Sequence, residues 1–203
     1  MSDIFTDISD FEKRLNLPCG FYEKLLKEDD WSFVIKLSAL FEAACTHILS
    51  VRLRAPEIED ALAHLEQGNT RCGKIVLLKK LGAITGEQAT ILSALASLRN
   101  ELAHNISNVG FTFKTYVDGL NKDNKRNLVQ RYGYGLVDTI SIKDKEITKR
   151  EFVLSNTKLA IWMTAAEVLA CLYLEIESSE LSVKSEALSW YQNLVSSLNR
   201  DSS

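Results

Sequence analysis

The chain has 203 residues, of which 46% are hydrophobic and 25% are charged, as in ordinary globular proteins. Only two prolines and nine glycines interrupt it, which favours long helices over a many-turned β fold. The net charge of −3 excludes a uniformly basic nucleic-acid-binding protein, and the cysteines and histidines lack the paired spacing of a zinc site. We therefore expect an all-α protein that needs no metal and no other cofactor.

The amino-terminal stretch MSDIFTDISDFEKRL lacks the basic start and the apolar run of a secretory signal. No uninterrupted apolar run reaches the roughly 20 residues of a membrane-spanning helix. These features predict a cytoplasmic protein that does not enter a membrane.

The first half of the chain reads as a series of helices. Residues 8–27 predict one or two short helices, broken at LPCG. A long helix is expected next, capped by Asp29 or Asp30, because apolar residues recur at helical spacing over about six turns. The segment APEIEDALAHLEQGN predicts another helix, with Pro56 in its first turn and Gly68 at its end.

A short helix in TRCGKIVLLKKLGAIT is expected to end at Gly82, and Thr85 then caps a longer helix. This longer helix carries an apolar stripe at the i, i+4, i+7 and i+11 positions. The residues of the stripe are Ile91, Leu95, Leu98 and Leu102.

Residues 108–150 differ from the rest, because four glycines break the helical period there. FTFKTYV and DTISI…EFVL alternate in the manner of strands, so we expect an irregular insertion with a β-hairpin across SIKDKEITKREF. Nine cations and five acids give residues 114–150 a net charge of +4, against −7 for the remainder. The insertion is either a solvated loop or an RNA-binding surface. The candidate RNA-binding residues are Lys122, Lys125, Arg126 and Arg131.

Helix is predicted again at TKLAIWMTAAEVLACLYLEIE and, as a separate helix, at SVKSEALSWYQNLVSSLN. The first of these is apolar on most sides and is expected at the centre of a bundle. Residues 1–203 therefore predict one helical domain, interrupted by the insertion at about 108–150.

The stretch SLRNELAHNIS holds a candidate catalytic site at the end of the helix capped by Thr85. Asn100 and His104 are four residues apart and share a helix face, and the long side chain of Arg99 can reach toward them. Histidine moves protons near neutral pH, and arginine binds phosphate through a planar, permanently charged fork. The alternative is structural, because cations near a helix C-terminus also stabilise the helix dipole.

This stretch resembles the HEPN superfamily, whose helical bundles carry arginine, often asparagine, and then histidine, as in LRNELAHN here. The segment GKIVLLKKLGAITGEQATILSALASLRNELAH is similar to the branch that contains the mannitol operon repressor family. WSFVIKLSALFEAACTHIL is similar to the first core helix of such proteins. The resemblance covers roughly residues 29–107 and the helix from residue 158, and it implies a HEPN-like helical bundle.

Glu42 falls within the apolar stripe of the long helix, where an unpaired carboxylate is costly. Arg99 is a candidate partner, and Glu42 would then position the arginine. The alternatives are that Glu42 lies at the edge of the stripe in water or pairs with a local lysine.

The resemblance implies a metal-independent endoribonuclease of toxin or defence type that cuts single-stranded RNA by attack of its own 2′-hydroxyl. His104 would act as general base or acid, and Arg99 would stabilise the phosphorane. It further implies a homodimer in which both copies of Arg99 and His104 face one cleft, and an antitoxin or regulatory protein as partner. The alternative is a non-catalytic regulatory module similar to the mannitol operon repressor.

Overall fold

The computed structural model describes residues 3–142 and 145–201, and this part of the chain is mainly helical, as predicted. The helices are α1 Ile4–Arg14, α2 Phe21–Lys24, α3 Asp30–Arg52, α4 Glu59–Ala63, α5 Lys74–Lys80, α6 Gly86–Ala103, α7 Phe113–Gly119, α8 Lys122–Tyr132, α9 Lys149–Ser155 and α10 Thr157–Asp201. Short 3₁₀ turns span Leu25–Lys27, Pro56–Ile58 and Ile106–Gly110. The described strands are β1 Thr139–Ile142 and β2 Lys145–Thr148.

Helix α3 is the centre of the fold, because α4, α5, α6 and α10 all pack against it. Asp29 caps the helix by accepting a hydrogen bond from the Ser32 amide at 2.9 Å. Phe33, Leu37 and Phe41 are fully buried, and each such side chain contributes about 1.5–3 kcal/mol through its removal from water. The expected long core helix and its cap are confirmed.

Helix α10 is continuous, whereas the sequence predicted two helices in this region. Its 45 residues contain no glycine or proline, and the serines between the two predicted helices do not end it. Arg14 of α1 forms ion pairs with Glu177 and Glu180, and Arg54 pairs with Glu186 at 2.6 Å. These pairs hold the middle of α10 against the bundle, where the break was expected.

The insertion is more regular than predicted, because much of it forms α7 and α8. FTFKTYV was predicted as a strand, but from Phe113 onward it lies in α7, which buries Phe113 and Val117, four residues apart on one face. EFVL also belongs to a helix, α9, which begins with a capping box between Thr148 and Glu151. A β-hairpin is confirmed, with Ile140 opposite Ile147 in an antiparallel pair, but its strands begin and end earlier in the chain than SIKDKEITKREF.

Two helices are long and apolar enough to cross a membrane by length and composition, α3 and the Thr157–Leu194 part of α10. In the structure, 61% and 56% of their apolar windows are buried inside the protein. Core helices pass the same test when their apolar residues pack against one another. The cytoplasmic location stays a prediction.

Candidate functional site

Helix α6 fixes the orientation of the predicted site residues. Thr85 and Gln88 form a capping box at its start, and the predicted apolar stripe is buried against the core. With this stripe facing inward, Arg99 and Asn100 are half-buried and His104 is exposed at the end of the helix. Packing of α6 thus places these three side chains at the protein surface.

Arg99 is held from two sides. Its Nη2 donates to Oε2 of Glu42 on α3 at 2.9 Å, and its Nη1 donates to Oδ1 of Asn100 at 2.9 Å. The arginine side chain keeps 37% of its surface exposed. Because a guanidinium has five N–H donors, it can bind an anion while it keeps both of these bonds.

Lys74 completes this cluster and was not predicted from the sequence. Its side chain is only 1% exposed, its Nζ lies 3.5 Å from Oε1 of Glu42, and it donates to the Ala63 carbonyl at 3.0 Å. An ammonium group at the first residue of a helix meets the positive end of the dipole, so it depends on the carboxylate for compensation. Glu42 therefore holds a lysine and an arginine together, one on each carboxylate oxygen.

His104 is the C-cap residue of α6, and its backbone amide donates to the Asn100 carbonyl at 3.2 Å. Within residues 3–142 and 145–201, no hydrogen bond to its imidazole is present. Both ring nitrogens can therefore form hydrogen bonds with a ligand, and proton transfer requires such a bond to one of them.

A cleft of about 320 Å³ lies between α3, α6 and residues 66–68. Glu42, Arg99, Asn100 and His104 all contribute to it. Ser38 also lines the cleft, and its buried hydroxyl oxygen has no hydrogen-bond partner in the described part of the chain. The cleft thus combines a fixed cation, an uncommitted imidazole and a hydroxyl group that a polar ligand could satisfy.

The other histidines lie outside this cleft. His64 is exposed and His47 is half-buried. The Nδ1 of His47 lies 3.2 Å from Oε1 of Glu59. Among the described residues, no group of three or more His, Cys, Asp or Glu side chains has a metal-binding arrangement.

The four candidate RNA-binding cations all lie on α8 and do not line the Arg99 cleft. Lys122, Arg126 and Arg131 are exposed, and Lys125 is half-buried. Arg126 lies 3.4 Å from Asp123 on the same helix. Arg131 instead faces a second groove, on another side of α6.

Comparisons with protein-family models, curated proteins and solved structures give no match to this chain. The resemblance to the HEPN superfamily therefore depends on the Arg99, Asn100 and His104 motif and its helical context.

Proposed function

We propose that the protein is a metal-independent endoribonuclease that cuts single-stranded RNA. The observation that carries this proposal is the cleft in which Glu42 and Asn100 hold Arg99 while the His104 imidazole stays uncommitted. This is the arrangement that cleavage of a phosphodiester by its neighbouring 2′-hydroxyl needs, with one group to move a proton and one to bind the anionic phosphorus centre.

In the proposed reaction, the neutral imidazole of His104 accepts the proton of the 2′-hydroxyl while that oxygen forms a bond to phosphorus. Arg99 donates its remaining N–H groups to the phosphorane oxygens, where negative charge develops. The bond from phosphorus to the 5′-oxygen then breaks, and this oxygen takes a proton from solvent. The products are a 2′,3′-cyclic phosphate and a 5′-hydroxyl, and no metal takes part in the sequence.

Incubation of the purified protein with a short single-stranded RNA in EDTA is the direct test. We expect fragments that end in a 2′,3′-cyclic phosphate, which acid hydrolysis converts to a mixture of 2′- and 3′-phosphates. Fragments that end in a 3′-hydroxyl, or activity that chelation abolishes, would contradict the proposed chemistry. RNA binding without cleavage would favour the alternative, a regulatory module similar to the mannitol operon repressor.

An RNA-cutting enzyme in the cytoplasm endangers the cell that makes it. If the protein is a toxin or a defence enzyme, we therefore propose that an antitoxin or regulatory protein binds it and restrains its activity. The α8 cations Lys122, Lys125, Arg126 and Arg131 are proposed to contact the RNA backbone, supported by their predominant exposure.

We also propose that the protein forms a homodimer. Leu174, Leu181 and Leu188 recur every seven residues on α10, and Leu181 and Leu188 are 62% and 63% exposed. Such spacing is typical of a helix that pairs with another helix along an apolar seam, and a second copy of the chain supplies one. Ile106, which lies two residues after His104 and is 84% exposed, supports the expected arrangement in which the partner borders the catalytic cleft.

Light scattering tests the dimer. The wild-type protein is expected to have the mass of two chains, and Leu181→Glu/Leu188→Glu the mass of one, because two carboxylates would be buried in the seam. Asn193→Glu, which is on the same helix and also exposed but lies about 140° round it from Leu188, is the control and should remain dimeric. A wild-type monomer at high concentration would refute the dimer. If Ile106→Asp dissociates the dimer while Leu181→Glu/Leu188→Glu remains dimeric, the interface lies at the cleft instead of at α10.

A further inference from the structure

A groove of about 610 Å³ lies between α6 and α8, and residues of α5 and α7 also line it. It lies on a different side of α6 from the Arg99 cleft and shares none of that cleft's lining residues. Its volume falls in the range of sites that bind small molecules or short polymer segments. The proposed catalytic steps do not use this groove, although Arg131, one of the proposed RNA-contacting cations of α8, lines it.

The α6 wall of the groove is a row of hydroxyl groups, from Thr90, Ser93 and Ser97. The three residues are spaced by three and four positions, so they share one helix face. Ser93 and Ser97 are exposed, and in the described part of the chain their hydroxyls form no hydrogen bonds. Opposite this row, α8 contributes the side chains of Asn124 and Asn127. Both walls therefore offer donors and acceptors to a polar ligand.

Two cations line the groove, Lys79 from α5 and Arg131 from α8. Neither lies within 4.0 Å of a carboxylate oxygen among residues 3–142 and 145–201. The acidic side chain that lines the groove is Glu101. The groove thus carries a net positive charge on a protein whose total charge is −3, which selects for an anionic ligand.

Tyr116 adds an aromatic surface to the groove. Its ring lies 5.7 Å from that of Phe111, which helps to fix its orientation. Burial and Glu101 raise the pKa of the Tyr116 phenol while Arg131 lowers it, so the phenol and both charges are near one another. An aromatic ring beside cations and amide groups suits a nucleotide, whose base stacks while its phosphate pairs with the cation.

The groove and the Arg99 cleft border the same end of α6. Leu98 lines the groove and directly precedes Arg99, and Glu101 lines it one helical turn before His104. One turn corresponds to about 5 Å along the helix axis. A polymer bound in the groove would therefore reach the catalytic residues without leaving the protein surface.

We propose that the α6–α8 groove binds the segment of single-stranded RNA next to the scissile phosphate. Lys79 and Arg131 pair with its phosphates, Tyr116 stacks on a base, and the hydroxyl and amide groups bind base edges and ribose. This assignment rests on the proposed ribonuclease function, because it places a second part of the same substrate.

Binding is best measured in the His104→Ala protein, so that cleavage does not consume the probe. A fluorescein-labelled RNA hexanucleotide is titrated by anisotropy at several salt concentrations. Adding Lys79→Ala/Arg131→Ala is expected to weaken binding tenfold or more, and to reduce the slope of log affinity against log salt by about 1.4 for the two lost phosphate contacts. The control, Lys80→Ala/Arg150→Ala, removes two exposed cations outside the groove and should change neither quantity.

A second variant, Ser97→Trp, fills the groove from an exposed position without removing charge, and it should also weaken binding. Affinity and salt slope that survive both groove variants would overturn the assignment. If the groove variants cleave RNA with an unchanged KM, the groove assignment is overturned and the ribonuclease proposal stands. If RNA binding depends on the groove but the wild-type protein cleaves no RNA, the groove remains an RNA-binding site and the ribonuclease proposal is overturned.

Discussion

Replacement of His104 by alanine is expected to slow RNA cleavage by about 10²-fold or more, the usual contribution of a positioned acid–base group. The imidazole is exposed and its ring makes no hydrogen bond within the described residues, so its removal leaves no buried group unpaired. The thermal unfolding midpoint should therefore stay within the small range of surface substitutions. Cleavage rates at saturating RNA, with a melting curve for each protein, are the measurements.

His64→Ala is the matched control, because His64 is also exposed but lies outside the cleft. It should cleave RNA at the wild-type rate. Arg99→Ala should lose at least as much activity as His104→Ala, since it removes the cation that meets the phosphorane. Equal rates for the wild-type and His104→Ala proteins would remove this histidine from the mechanism.

Replacement of Glu42 by alanine is expected to lower the free energy of unfolding by about 3 kcal/mol, near the lower end of the range for breaking a buried ion pair. The cost arises at Lys74, which is 1% exposed and would keep only the Ala63 carbonyl as a partner. Urea denaturation measures this change in the free energy of unfolding. Glu28→Ala is the control, because Glu28 is as exposed as Glu42, at 31%, but pairs with Lys36, which is 46% exposed. Its loss should cost less than about 1 kcal/mol.

A second substitution identifies the source of the Glu42 effect. In Glu42→Ala/Lys74→Met, the buried ammonium is gone and an apolar chain of similar length replaces it. The double variant should be more stable than Glu42→Ala, because removal of both buried charges is often close to neutral. If Lys74→Met instead adds its own loss to that of Glu42→Ala, the stability does not depend on the ion pair.

The helices that could be predicted are those whose apolar residues keep one period, such as α3 and α6. FTFKTYV could not be assigned correctly because Phe113 and Val117 fit both an alternating strand and one face of a short helix. Contacts with the rest of the fold decide between the two, including a hydrogen bond from the Phe113 amide to Asp30 at 2.9 Å. The prediction of a break in α10 depended on the serines between the two predicted helices, although this part of the chain contains no glycine or proline.

For the candidate site, local spacing was sufficient to select Arg99, Asn100 and His104, and a carboxylate within an apolar stripe singled out Glu42. Lys74 could not be distinguished from Lys79 and Lys80 in GKIVLLKK, because its burial arises only when α5 packs on α3. The α6–α8 groove also could not be predicted from the sequence, because its lining comes from four helices and local sequence patterns do not give their arrangement.

The 45 residues of α10 give it a length of about 68 Å, while a compact chain of this size has a radius of gyration of roughly 17 Å, which corresponds to a sphere about 44 Å in diameter. The helix is therefore longer than the body that carries it, and beyond Glu186 its side chains are exposed at Leu188, Trp190, Tyr191 and Leu194. A single chain of this form rotates faster about the axis of α10 than end over end. Its rotational diffusion is consequently that of an elongated particle, and its drag in solution exceeds that of a sphere of equal mass.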